Sequence, residues 1–68
     1  MGFGNYVHLD FLIIEAETEK AFRIRFDLEH AAEWIPKSQV ADPDDYEAGD
    51  ENGSISITEW IANEKGLE

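Results

Sequence analysis

Between Phe22 and Leu28 every second residue is apolar. Phe22, Ile24, Phe26 and Leu28 fall on one parity and Arg23, Arg25 and Asp27 on the other. A period of two marks a strand with one buried face, whereas a helix would scatter the four apolar side chains around its axis. The four are therefore expected to face inward. Tyr6 to Glu17 reads as a longer, less regular strand. Val7, Leu9, Phe11 and Ile13 share one parity, and His8, Asp10, Leu12, Ile14 and Ala16 share the other. Its first half alternates and its middle is apolar on both sides. Such a strand is either covered on both faces at its centre or twists from one face to the other.

Glu17-Thr18-Glu19-Lys20 is a hairpin turn without the favoured Asn-Gly chemistry. After a connection at Glu29-His30-Ala31-Ala32, Glu33-Trp34-Ile35 reads as a short strand ending at Pro36, which cannot donate to a central ladder. Lys37 to Val40 is expected to leave the sheet. Residues 41–52 form an acidic loop, in which Asp42-Pro43-Asp44-Asp45 is turn chemistry able to nucleate one helical turn through Tyr46 and Glu47. Asn52-Gly53 restarts the chain into the alternating strand Ser54-Ile55-Ser56-Ile57. Thr58 is a helix N-cap, with the helix running from Glu59 to Lys65 and stopping at Gly66. Ser56 as the cap, with Glu59 three residues on, is an alternative start. The pattern predicts an α+β fold: a small three- to four-stranded, mainly antiparallel sheet with one short C-terminal helix at about residues 58–65. The helix is expected to pack Trp60 against the face that holds Phe22, Ile24 and Phe26, and both tryptophans are expected in the core, an interface anchor being the other reading of Trp34.

Sixty-eight residues allow one domain, residues 1–68, with a thin core. Hydrophobic residues at 43% and aromatics at 12% set the chain apart from a disordered acidic tail. The absence of cysteine excludes disulfides and thiolate metal sites and suits a reducing cytosol, so a cytoplasmic location is expected. The longest apolar run is Phe11 to Ile14, too short for a membrane span or signal peptide, and Met1-Gly2-Phe3-Gly4 carries no basic residue. Leu67-Glu68 reads equally as native or as vector-derived. A monomer is expected, although an open sheet edge leaves dimerisation available.

Motifs for chemistry are missing. Ser38, Ser54 and Ser56 lie in no nucleophile elbow, and His8 and His30 are the only histidines, twenty-two residues apart. An EF-hand register started at Asp42 places Tyr46 at position 5 and Glu47 at position 6, so the pattern fails. Gly2 and Gly4 precede the first strand and form no phosphate loop. The expectation is a protein without catalytic residues, metal or cofactor, and with no direct contact to nucleic acid. Arg23 and Arg25 share a strand face and are expected to pair across strands with acids such as Glu15, Glu17 and Asp27.

What stands out is charge. Sixteen Asp and Glu face five Lys and Arg, for a formal net charge of −11. One reading is a solvated surface that keeps a small protein soluble, a balance that a salt-loving source would share. The sharper reading is mimicry of nucleic acid, since duplex DNA carries one charge per about 1.7 Å of axis. Three sets of acids are candidates for a partner-binding face. Asp42, Asp44, Asp45, Glu47, Asp50 and Glu51 come from the loop. Glu15, Glu17 and Glu19 come from the hairpin and share a parity if the strand persists. Asp27, Glu29 and Glu33 come from the following connection. Tyr46 reads as an interface anchor within the acidic rim or as a local staple of the loop.

Trp34-Ile35-Pro36-Lys37-Ser38-Gln39-Val40 and the segment from Ile55 through Thr58-Glu59-Trp60 to Leu67 resemble pieces of small phage-borne proteins. Together with the size, the acidity and the absence of cysteine, the chain is similar to phage anti-CRISPR proteins, in particular DNA mimics that act on type I systems. The likeness is one of pattern, contains no catalytic motif and carries over no individual residue. It implies a host-directed inhibitor that occupies the DNA-binding site of a Cascade surveillance complex. Rival expectations are an adaptor domain of a phage or mobile-element module, binding a protein through a sheet edge or helix, and a weak cation-binding module on the acidic loop.

Overall fold

The computed structural model describes residues 5–67. Met1 to Gly4, Phe3 among them, and Glu68 lie outside the described residues. Four strands and a helix follow one another: β1 (Tyr6–Glu17), β2 (Ala21–Arg25), β3 (Glu33–Pro36), β4 (Glu51–Thr58) and α1 (Glu59–Glu64). They form one antiparallel sheet in the order β3-β2-β1-β4, so the α+β arrangement expected from the pattern is the one observed.

β1 has different partners along its length. Its first part pairs with β4, from Tyr6 opposite Thr58 to Ile13 opposite Glu51. Its last part pairs with β2, from Ile13 opposite Arg25 to Glu17 opposite Phe22, with a register shift between Ile14 and Ala16. Burial changes parity along the way: Val7 and Leu9 lean on the core and Phe11 is buried, but the next fully buried residue is Ile14. The strand therefore twists from one face to the other, as its doubly apolar middle allows.

The turn between β1 and β2 is closed by Thr18, whose Oγ1 accepts from the Ala21 and Lys20 amides at 3.0 and 3.3 Å. A threonine hydroxyl thus does what Asn-Gly would do by backbone conformation. β2 is shorter than its alternation suggests. It ends at Arg25 because the Asp27 carboxylate accepts from the Glu29 and His30 amides at 2.9 and 2.8 Å, bending the chain. Phe22 and Ile24 are buried as expected and Phe26 is half-buried. Leu28, expected inside, is 86% exposed at the tip of this bend.

Lys37 to Val40 does not leave the sheet for good. Lys37–Gln39 makes one 3-10 turn, and Val40 bridges Ile57 of β4 while the Ala41 amide donates to Ser56 O at 2.9 Å. Five residues from Ile35 reach at most about 18 Å. In a flat sheet with strands about 4.8 Å apart, β3 and a strand outside β4 would stand about 19 Å from each other. The sheet must curl, and its concave side holds the core of Phe11, Ile14, Phe22, Ile24, Ile35, Ile55 and Ile57.

α1 covers one end of that core. Thr58 is its N-cap, its Oγ1 accepting from Ile61 N at 3.2 Å and donating to Gln39 Oε1 at 2.6 Å. At the other end Gly66 (φ 69°) permits a Schellman closure, with Leu67 N on Ala62 O at 2.8 Å and Gly66 N on Asn63 O at 3.2 Å. Leu67 then packs on the core. The helix docks through Ile61 and Ala62, and Trp60, expected against the sheet, is 49% exposed. Burying both Ile61 and Ala62 centres the docking face between them, about 150° round the helix from Trp60 at about 100° per residue, which turns Trp60 outward. Trp34, also expected in the core, is 42% exposed, because β3 buries its neighbour Ile35 and the next side chain must face the other way.

Ile61→Ala is expected to cost about 2–5 kcal/mol and Trp60→Ala under about 1 kcal/mol. Gly53→Ala should cost about 1–3 kcal/mol, since a Cβ there would stand 2.8 Å from Cζ of Phe11. Urea unfolding followed by far-UV circular dichroism measures all three. Equal losses for Ile61 and Trp60 would contradict the docking described.

Candidate protein-interaction surface

The acidic loop is held in place by contacts to the rest of the fold. Asp42 takes a left-handed conformation (φ 53°) ahead of the 3-10 turn Pro43–Asp45, and Asp45 N donates to Asp42 O at 3.0 Å. Next in the chain, Tyr46 turns its ring inward, edge-on to Phe11 at 6.5 Å and to Phe22 at 6.3 Å between centroids. Burial pushes its phenol pKa up, and the nearby Asp45 carboxylate adds to the shift. Of the two readings of Tyr46, the staple is the one its ring geometry fits. Beyond it Glu47 N donates to Asp50 Oδ2 at 3.0 Å, Gly49 N to Ile14 O at 2.8 Å and Ile14 N to Asp50 O at 2.9 Å. Glu51 already belongs to β4, opposite Ile13.

These bonds set the loop beside the end of β1. Glu17 joins the two regions, its Oε1 accepting from Ala48 N at 3.3 Å and its Oε2 from Lys37 Nζ at 2.6 Å. The lysine holds the Glu17 carboxyl below its ordinary value, with the Ala48 amide acting in the same direction. Lys37 also lies over the Phe22 ring, 4.8 Å from its centroid. Loop and hairpin acids are thus brought together. The shared face proposed for Glu15, Glu17 and Glu19 does not form, because the register shifts next to Glu15 and β1 ends at Glu17, leaving Glu19 in the turn.

The third set lies elsewhere. Asp27 and Glu29 sit in the bend after β2, and Glu33 opens β3. β2 separates them from the hairpin turn by about 17 Å at 3.3 Å per residue. The acids therefore do not merge into one face.

Cations divide them further. Glu15 holds both Arg25 (Nε to Oε2 2.7 Å) and Arg23 (3.4 Å), which is the cross-strand pairing expected for the two arginines. Glu17 holds Lys37, Asp27 holds His30, and Glu33 stands 3.9 Å from Lys65. None of the six loop carboxylates has a lysine, arginine or histidine nitrogen within 4.0 Å among the described residues. The loop is the densest run of uncompensated charge, while Asp10, Glu19, Glu29, Glu59 and Glu64 are unpaired singly elsewhere among the described residues.

His8 meets the Ser56 hydroxyl. Among the described residues no group of three or more His, Asp or Glu side chains is placed to hold a metal ion, and no helix is long and apolar enough to cross a membrane. Sequence reasoning missed the outward placement of Trp34 and Trp60. The signal available was the buried neighbour of each, Ile35 and Ile61. No family model, curated protein or solved structure matches the chain.

Asp27 and His30 make the one histidine–carboxylate pair among the described residues, Nδ1 lying 2.9 and 3.0 Å from the two carboxylate oxygens. The Asp27 hydrogen bond raises the His30 pKa from 6.5, and the His30 hydrogen bond lowers the Asp27 pKa from 3.8. The His30 contribution is complete below 6.5 and disappears as pH rises through its raised value. The Asp27 contribution is complete above 3.8 and disappears as pH falls through its lowered value. The pair is thus strongest between those two ordinary values. In an NMR titration His30 should deprotonate above 6.5, and Asp27→Asn should bring it back toward that value. An unchanged midpoint in Asp27→Asn would refute the pairing.

Proposed function

We propose that the protein is a non-enzymatic inhibitor that binds a basic nucleic-acid-binding protein and occupies its phosphate-holding site. The observation that carries this reading is the acidic loop. Six carboxylates within ten residues sit on a backbone held by the Tyr46 staple and the bonds to β1, with no cation of the chain in pairing distance among the described residues. An anionic loop whose backbone is already ordered meets a basic site at a smaller entropic cost than a disordered one. Opposite charge also speeds encounter and makes it sensitive to salt. The contact set is Asp42, Asp44, Asp45, Glu47, Asp50 and Glu51, with Glu19 at its margin. Glu15 and Glu17 contribute less, since they hold Arg23, Arg25 and Lys37. The similarity to anti-CRISPR DNA mimics makes a type I Cascade complex in the host cytoplasm the first target to test.

One observation favours a second reading, an adaptor that docks on a protein partner through apolar contacts. Trp34 stands exposed on β3, the sheet edge, and Trp60 stands exposed on α1. Tryptophan is enriched at interface hot spots. Affinity of that kind depends little on salt.

The two readings separate in one experiment. Block of DNA binding by a type I Cascade complex should weaken by about ten-fold or more between low and moderate salt. The triple reversal Asp44→Lys, Asp45→Lys and Glu47→Lys should abolish it with the fold intact. Trp34→Ala and Trp60→Ala should leave it in place. Loss of binding in the tryptophan variants, with the triple reversal as active as the parent, would move the function to the adaptor reading.

A further inference from the structure

β4 begins with a defect. Ile13 pairs with Glu51 and Phe11 with Gly53, but the register holds no pair between Leu12 and Asn52. Asn52 takes a left-handed conformation, φ 53°, and is exposed. Asparagine is among the few residues besides glycine that adopt this conformation readily. No hydrogen bond holds its side-chain amide among the described residues. Gly53 follows, and packing keeps that position a glycine, since a Cβ there would stand 2.8 Å from Cζ of Phe11. Both residues line a depression with Asp10, Leu12 and Ser54, so water reaches them. The other asparagines, Asn5 and Asn63, are followed by Tyr6 and Glu64.

The backbone nitrogen after an asparagine can close a five-membered ring onto that asparagine's own side-chain carbon, Cγ. A side chain on the following residue obstructs the approach, and glycine has none. A break in the ladder lowers the cost of turning the peptide toward Cγ. We propose that Asn52-Gly53 is a site of spontaneous modification, at which the asparagine is converted through a succinimide to aspartate and isoaspartate. Gly53 N gives up its proton and attacks Asn52 Cγ. The N–Cγ bond forms, the Cγ–Nδ2 bond breaks, and the side-chain nitrogen leaves with that proton as ammonia. Water then adds to one of the two ring carbonyls and breaks its bond to the ring nitrogen. Opening at Cγ gives aspartate on an unchanged backbone. Opening at the backbone carbonyl gives isoaspartate, with the chain routed through Cβ and Cγ. Either product adds a carboxylate beside Asp50 and Glu51. Isoaspartate also inserts a carbon into the backbone of β4 between two residues that pair with β1.

The test is incubation of the folded protein in mildly alkaline buffer beside a free peptide of residues 50–55. Mass spectrometry follows the amide-to-acid mass gain, peptide mapping locates it, and isoaspartyl methyltransferase labelling separates the two products. Circular dichroism through the incubation reports that the protein stays folded. Asn52 should convert at a rate within about ten-fold of the free peptide, the penalty of a local opening, and Asn5 and Asn63 should stay intact over the same time. Asn52→Gly, which keeps a left-handed backbone without the amide, should show no mass gain. Asn52→Asp should co-elute on anion exchange with the aspartate product. Conversion only through global unfolding would be slower than the peptide by about a thousand-fold or more, and any rate below the ten-fold limit overturns the site. A mass gain that persists in Asn52→Gly, or that maps first to Asn5 or Asn63, would also overturn it.

Discussion

The structure depends on β1 having to serve two partners with two different faces. Toward its start it lies against β4 with Val7, Leu9 and Phe11 turned to the core, and toward its end it lies against β2 with Ile14 turned there. Side chains alternate strictly along a flat strand, so burying both Phe11 and Ile14 requires the strand to twist between them, ahead of the register shift after Ile14. The twist curls the sheet. Curling lets Val40 reach β4 a few residues after β3 and gives a chain of this size a concave surface to fill. A thin core in a small domain is marginal, and the curl brings both ends of one strand to bear on it.

The same geometry sorts the charge. The outer face beside the bulge gathers Glu15, Arg23 and Arg25, and the junction of hairpin and loop gathers Glu17 and Lys37. Exposed pairs of this kind contribute little stability. Their larger effect is to use up the few cations within the sheet, so that negative potential is left on the loop. Tyr46 links that loop to the core: its ring meets Phe11 and Phe22 edge-on and so anchors the backbone that carries Asp45 and Glu47.

Apolar and charged features of the surface occupy different places. Trp34 and Trp60 are exposed because the residue after each is the one the core takes. They lie on β3 and α1, whereas the densest run of unpaired carboxylates lies on the loop and at the start of β4. A partner of either kind has a distinct surface to meet, which is why salt dependence and tryptophan substitution discriminate between them. A groove between β1, the bend after β2 and the end of α1 is a third place, where apolar lining and carboxylates coincide.

Much of this fold was legible in the amino-acid order, because its signals are local. Alternation over Phe22 to Ile24 and over Ser54 to Ile57, Pro36 at the end of an edge strand, Thr58 as a cap and Gly66 as a stop each act within a few residues, and each stands where expected. The parity change of β1 was readable only as one of two options. The length of β2 was misjudged because the carboxylate of Asp27 overrides the alternation that includes Leu28. Which acids Lys37 and Lys65 meet, which tryptophans are left outside and where a groove opens were decided by tertiary structure alone. Those outcomes depend on distances between residues remote in sequence, such as Glu17 to Lys37 and Glu33 to Lys65. The chain by itself determined how much negative charge there is, and the curl of the sheet determined where it remains unpaired.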